Sequence, residues 1–147
     1  MRTNTVATLF NHYTDKITEK TLYKRTVITS VNWQSKQIVN ATDKGLVSED
    51  EIMVFIPHNS DFEGKEYIDP KSFRQLSDEN KNNYFTFDNN DYIVKGEVDE
   101  SLSVDNIKKS YDNVAVIISV INCNNGSRTR HFEVMGKWIL SLILMLN

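Results

Sequence analysis

The chain is poor in cysteine, proline and glycine, with one, two and five of these residues among 147. Because Cys123 is alone, an internal disulfide is excluded, and the composition is typical of a protein kept in a reducing compartment. The few glycines form no Gly-rich dinucleotide motif, and Lys44-Gly45 has no upstream glycine at phosphate-loop spacing. The sequence therefore offers neither a disulfide framework nor a nucleotide-binding loop.

Basic runs and long apolar runs are also missing. No Lys/Arg run exceeds two residues, and the net charge is −3. A nucleic-acid binder without sequence preference needs a positive patch, so this class is disfavoured. The apolar run Trp138–Leu146 has nine residues, whereas a bilayer needs about 20. Met1–Phe10 lacks the basic head and apolar run of a signal peptide, and we expect no membrane partner.

Short segments rich in β-branched and aromatic residues are what the sequence does contain. The longest is Thr21–Trp33, which has no Gly or Pro and is typical of one long β-strand. Similar but shorter runs predict strands at Thr5–Phe10, Ile52–Ile56, Tyr84–Phe87, Tyr92–Lys95, Val114–Ile121 and Arg130–Val134. Between two of these, Asp88–Asp91 consists only of Asp and Asn, which tolerate left-handed backbone, and predicts a tight hairpin.

Helices and loops fill the remaining chain. Ser103–Asp112 has apolar residues three and four apart and is the only helix of two or more turns that we expect before residue 136. Asp69-Pro70 predicts the start of a short helix through Leu76. Gln34–Glu51 is predicted to be a loop, and His58–Asn83 is the least regular segment.

These patterns together predict a mainly β fold, a small β-barrel or sandwich with one short helix and long loops. A single domain is expected over residues 1–136, followed by an apolar C-terminal tail over residues 137–147. Gly136 is the expected hinge between the two.

The candidate chemical groups argue against an enzyme. The histidines His12, His58 and His131 do not pair at metal-ligand spacing, and Cys123 has no close partner motif. Cys123 with His131 as nucleophile and base is disfavoured, since a single cysteine beside a buried strand is usually a small hydrophobe. Asp88–Asp91 resembles the opening of a calcium loop but lacks its Gly and Glu. We therefore expect no catalytic residue, no cofactor and no metal ligand.

Two apolar features of the sequence need burial, Trp33 and the C-terminal tail. Trp33 is interpreted as a core or rim residue. The tail is expected either to add a strand to this domain or to pack on another subunit, and we favour the second. The predicted interface residues are Trp138, Ile139, Leu140, Leu142, Ile143 and Leu144.

Four segments carry a family resemblance. Tyr23–Ile28 with Val31–Trp33, Val54–Pro57, Tyr92–Glu97 and His131–Val134 together resemble short proteins of siphophages and prophages of low-GC Gram-positive bacteria. The resemblance spans roughly residues 5–136. This family is similar to the head-closure, or stopper, group of head–tail connector proteins.

The resemblance implies a structural virion protein of the phage neck, assembled in the cytoplasm of the host bacterium. Its subunits form a homo-oligomeric ring between the portal–adaptor assembly and the tail. Such a ring helps to retain packaged DNA, which passes through its lumen without sequence-specific binding. Two alternatives remain open: a tail-completion or other tail-joining ring protein, and a free prophage-encoded binding module or inhibitor that acts on a host protein.

Overall fold

The computed structural model describes residues 2–42, 45–98, 107, 113–124 and 130–138, and of residues 36–42 and 45–50 only the backbone. This part of the chain is mainly β. The strands are β1 (Thr5–Thr14), β2 (Thr21–Thr42), β3 (Gly45–Pro57), β4 (Glu66–Tyr67), β5 (Tyr84–Phe85), β6 (Tyr92–Lys95), β7 (Val114–Cys123) and β8 (His131–Trp138). Helix α1 spans Pro70–Gln75, and a 3₁₀ helix spans Asn80–Asn83.

Six strands close into an antiparallel barrel in the order β1-β2-β3-β8-β7-β6. The short strand β6 closes it, since Ile93 pairs with Leu9 of β1 on one side and with Ala115 of β7 on the other. Closure leaves the barrel without free edges where its strands are paired. The expected mainly β fold is therefore confirmed, in its barrel form.

Alternating side chains fill the barrel. Along β8, Phe132 and Val134 are buried whereas His131 and Glu133 are only half-buried, as the sequence predicts. Trp33 is buried in the same core, which confirms the expectation for this residue. The interior is built by apolar residues of all six strands together with aromatic residues between β3 and β6: Ala7, Leu9, Ile28, Val31, Trp33, Ile52, Val54, Ile56, Phe62, Phe85, Phe87, Ile93, Ala115, Ile117, Phe132 and Val134.

A second apolar cluster covers the outside of β1 and β6. It contains Phe10, Val94, Val98, Ile107 and Val114. The segment after β6 is fastened to β1 by hydrogen bonds, because the Thr8 hydroxyl donates to the Gly96 carbonyl at 2.7 Å and accepts from the Val98 N–H at 3.1 Å. Strand β1 is consequently buried on both faces over most of its length.

The prediction of a loop over Gln34–Glu51 is wrong. Strand β2 continues to Thr42, β3 begins at Gly45, and the two pair in register up to Thr42 and Gly45. Polar side chains do not prevent pairing here, because the hydrogen bonds that join two antiparallel strands are made by backbone groups, which polar residues supply as well as apolar ones. Over the described residues, this stretch forms a hairpin instead of a loop.

The predicted hairpin between Tyr84–Phe87 and Tyr92–Lys95 is also wrong. The second strand is correct to the residue, but β5 ends at Phe85 and pairs in parallel with β4, whereas β6 belongs to the barrel. The intervening turn is present, with Asn90 at a φ of 73°, as expected for Asn in left-handed backbone. The turn chemistry was predicted correctly, but the partner strands were not.

Helix α1 confirms the prediction made from Asp69-Pro70. The Asp69 carboxylate accepts a hydrogen bond from the Ser72 N–H at 3.3 Å, and Pro70 occupies the first turn. Of the predicted helix Ser103–Asp112, only Ile107 lies within the described residues, where it is helical and buried. Among the described residues, no helix is long and apolar enough to cross a membrane.

Gly136 does not act as a hinge. It lies inside β8, which continues to Trp138, two residues into the segment expected to be a tail. A Cβ at this position would lie 2.9 Å from the Val116 carbonyl oxygen and 3.2 Å from Cγ1 of Ile52. Glycine is therefore required here by close packing between neighbouring strands, not by backbone flexibility.

Candidate functional site

Three side chains with metal-binding or nucleophilic character meet on the outer face of β7 and β8. Cys123 and His131 are direct cross-strand partners, and Glu133 follows His131 by two residues, which places both on the same face. One ligand atom from each of the three lies within 4.8 Å of the others. His131 Nε2 and Glu133 Oε1 are 3.1 Å apart. We call Cys123, His131 and Glu133 the outer triad.

The electrostatics of the outer triad keep its thiol protonated. Burial raises the pKa of the Cys123 thiol, and the nearby Glu133 carboxylate raises it further. A low-pKa nucleophilic cysteine has the opposite environment, with a positive charge beside the sulfur. The expectation that Cys123 and His131 do not form a nucleophile–base pair remains consistent with this arrangement.

An open cavity of about 340 Å³ lies at the same end of the barrel, on its inner side. The apolar residues of its lining include Phe62, Phe85 and Phe132, and the polar residues include His58, Asn122 and Asn124. The His58 ring packs on Phe132 with centroids 4.4 Å apart. His58 Nε2 is buried and has no hydrogen-bond partner among the described residues. The cavity lining therefore combines aromatic side chains with polar ones.

Asp91 is a buried hydrogen-bonding centre at the start of β6. Its carboxylate accepts from the His12 N–H at 2.9 Å, the Asn11 side-chain amide at 2.8 Å and the Asp88 N–H at 3.0 Å. It also contacts His12 Nδ1. The β1–β6 ladder ends at Phe10 and Tyr92, so Asp91 satisfies the backbone of β1 where β6 no longer does.

The pair formed by His12 and Asp91 makes stability depend on pH. The hydrogen bond to the Asp91 carboxylate raises the pKa of His12 above 6.5, against partial burial, which lowers it. The folded protein then holds this proton more tightly than the unfolded chain does. Its stabilising contribution is complete below pH 6.5 and is lost as the pH rises through the higher pKa of the folded state.

We expect the urea midpoint of the protein to fall as the pH is raised from about 6 to about 9. The His12→Gln variant removes the titrating ring, and the slope of midpoint against pH should become shallower in this range. Urea unfolding followed by tryptophan fluorescence provides the measurement. An unchanged slope in His12→Gln would contradict the role assigned to this pair.

Of the predicted interface residues, Trp138 lies within the described part of the chain and the others do not. Trp138 is half-buried and packs on the protein's own core, with its ring centroid 6.0 Å from that of Trp33. Ile139, Leu140, Leu142, Ile143 and Leu144 lie outside the described residues. Elsewhere on the barrel, Ile121 of β7 is a large apolar side chain that remains 54% exposed.

Two arrangements were missed by sequence reasoning. In the outer triad, His131 and Glu133 follow Cys123 by eight and ten positions, a spacing that no standard metal motif predicts. The alternation in Arg130–Val134 did place His131 and Glu133 on one face of a strand. Asp91 was interpreted only as part of a turn. An Asp immediately before a predicted strand carried no sequence signal of burial.

Comparison with known proteins gives a family but no activity. Neither the curated proteins nor the solved structures include a significant match to this chain. One family model matches residues 2–137, which extends from the first described residue to the penultimate residue of β8. The chain therefore belongs to the family of unknown function DUF6751.

Proposed function

We propose that this protein is a structural subunit of a tailed-phage neck, a head-closure or head–tail connector component that acts in a ring. The observation that carries the proposal is the hairpin of β2 and β3. Strand β8 pairs with β3 only between Pro57 and Glu51, whereas β2 accompanies β3 as far as Gly45. The outer part of this hairpin, Gln37–Thr42 with Gly45–Asp50, is here called the arm.

The arm extends well past the barrel. It contains six cross-strand pairs, which at ~3.4 Å per residue give a projection of about 20 Å. Among the described strands, none pairs with either of its edges, since β1 accompanies β2 only as far as Val31. Exposed strand edges of this length are pairing surfaces for another chain. A ribbon that leaves its own barrel is suited to contact a neighbouring subunit or to project into a channel.

The remaining features of the chain are compatible with a ring through which DNA passes. A closed barrel presents its outer faces and its arm for assembly, and a head-to-tail contact that closes gives a ring. The net charge of −3 limits attraction to the phosphate backbone, so DNA can pass through the lumen without binding. The proposed partners are other copies of this chain, the portal–adaptor assembly and the tail. The protein would be assembled in the host cytoplasm and retained in the virion.

The test is a shortened arm. Removing residues 38–49 and joining Gln37 to Asp50 through Asn-Gly preserves the pairing of these two residues and a two-residue connection. Because the parts of β2 and β3 that lie in the barrel are untouched, we expect the purified variant to keep a β-type circular-dichroism spectrum. In a phage or prophage that encodes it, the yield of DNA-filled, tailed particles should fall by at least about tenfold. The control is Ile17→Ser, at a side chain 91% exposed in the turn after β1, which should leave the yield unchanged.

The outcomes separate the alternatives. If wild-type protein is present in purified virions and the shortened arm abolishes particles, the connector proposal is supported. Particles with closed, DNA-filled heads but no tails would assign the protein to tail completion. If wild-type protein is absent from purified virions, the structural role is rejected and the free binding module takes its place.

A further inference from the structure

We propose that Cys123, His131 and Glu133 form a zinc-binding site on the outer face of the barrel. The three side chains supply a thiol, which loses its proton to solvent when it binds Zn²⁺, together with an imidazole and a carboxylate, and these are the ligand types that proteins use for this ion. They lie on two directly paired strands, so their backbone positions are fixed by the sheet. Each of the three is partly accessible, so an ion can reach it from solvent.

The distances allow one ion to contact all three ligand atoms. In a tetrahedral zinc site with bonds of about 2.0–2.3 Å, neighbouring ligand atoms are about 3.4–3.6 Å apart. Here His131 Nε2 and Glu133 Oε1 are separated by 3.1 Å, and all three atoms fall within 4.8 Å. Side-chain rotations that move the ligand atoms by about an ångström are sufficient to bring these separations to the values of a zinc site.

The ligand chemistry favours zinc over calcium and magnesium. Calcium and magnesium require a shell of oxygen atoms, and this cluster provides one carboxylate together with sulfur and nitrogen. Thiolate with imidazole is a ligand combination of structural and catalytic zinc sites, and Zn²⁺ does not oxidise the thiolate. The charges of a thiolate and a carboxylate also balance those of the ion.

Three protein ligands leave a fourth position for water or for a group from outside the chain. The site lies where β7 ends and β8 begins, so a bound ion fastens these two strands to each other. Asn122 and Phe132, the neighbours of two ligands, line the inner cavity at the same end of the barrel. Zinc therefore adds stability at this end, by an amount that grows with the logarithm of its affinity.

The test uses untagged full-length protein, treated with a chelator and kept reduced with a phosphine. Co²⁺ replaces Zn²⁺ as a spectroscopic probe. Wild-type protein should develop a thiolate-to-cobalt charge-transfer band with one ion per chain, and Zn²⁺ should displace it. Cys123→Ser should abolish the band, and His131→Gln and Glu133→Gln should each weaken binding by more than about tenfold. Zn²⁺ should raise the thermal midpoint of wild type and not that of Cys123→Ser.

Two controls make the result decisive. His12→Gln removes a histidine outside the cluster and should bind Co²⁺ as wild type does. Metal-free Cys123→Ser should melt as a cooperative β protein, and if it does not, Glu133→Gln provides the second comparison. Absence of the band in wild type overturns the proposal, as does Co²⁺ affinity that is equal in wild type and in all three ligand variants.

Discussion

Replacing Asp91 by alanine is expected to lower the free energy of unfolding by about 3–5 kcal/mol, a large share of the 5–15 kcal/mol typical of a domain. Asp91 is fully buried, and its carboxylate accepts from two backbone N–H groups and from the Asn11 amide. Each buried donor left without a partner costs about 1–3 kcal/mol. Asn11 keeps its second hydrogen bond, to the Thr86 carbonyl at 2.6 Å, so not every donor is orphaned.

The damage should extend beyond one contact, because Asp91 links three parts of the fold. His12 belongs to β1, Asp88 belongs to the turn before β6, and Asn11 connects to Thr86 after β5. The Asp91 backbone also pairs with Ile117 of β7, since its carbonyl accepts from the Ile117 N–H at 2.8 Å. Without the carboxylate, β6, the short strand that closes the barrel, loses the hydrogen bonds that hold its N-terminal end in place.

Urea unfolding of Asp91→Ala and of Asp78→Ala gives the matched comparison. Asp78 has a side chain that is 61% exposed, and its ion pair with Lys81 has a nitrogen–oxygen distance of 3.9 Å. Lys81 is buried, but its ammonium also donates to the Leu76 carbonyl, and water screens its contact with the exposed carboxylate, so removal of Asp78 should cost at most about 1 kcal/mol. Equal losses in the two variants would show that Asp91 does not organise the barrel closure.

The strands were predictable because their chemistry is local. Tyr92–Lys95 matches β6 to the residue, and Ile52–Ile56 lies within β3. The alternation in Arg130–Val134 also gave the inward face of β8 correctly. In each case a period of two, or a short apolar run that ends at a turn signal, reflects burial in a sheet.

Strand ends and strand partners were less predictable, for a physical reason. The arm has polar segments such as Ser48–Asp50, which lack a hydrophobic face, so these segments give no burial signal. Its strands are paired by backbone hydrogen bonds, which every residue other than proline provides. Likewise β5 pairs with β4, about 18 residues earlier, and not with the neighbouring β6. The choice of partner strand depends on the fold of the whole chain, not only on the turn that joins two neighbouring strands.

The candidate site was likewise predictable only where its signal is local to one strand. Sequence patterns placed His131 and Glu133 on one face, but the register of β7 against β8 decides that Cys123 lies opposite His131. That register contains an irregularity between Ile117 and Ser119, which shifts every later pair by one residue. A bulge has no reliable sequence signature, so the outer triad could be found only in the folded structure.

Replacing Ile117 by alanine is expected to lower the free energy of unfolding by about 2–5 kcal/mol. The Ile117 side chain is 1% exposed and belongs to the interior cluster of the barrel. Alanine leaves a cavity there, because the paired strands on either side hold their spacing and cannot collapse into it. The backbone hydrogen bonds between Ile117 and the turn before β6 remain in the variant, so the loss of unfolding free energy reports side-chain packing alone.

Ile121→Ala is the matched control, since it makes the same substitution four residues later on the same strand. Its side chain is 54% exposed, so the cost should stay below about 1 kcal/mol. The two variants should be compared by urea unfolding at one pH, with the slope of free energy against urea checked for equality. Equal midpoints would mean that β7 does not present Ile117 to the core, and the register around the bulge would then be wrong. A midpoint for Ile121→Ala that matches wild type, beside a large drop for Ile117→Ala, would confirm the inward and outward faces of β7 on both sides of the irregularity.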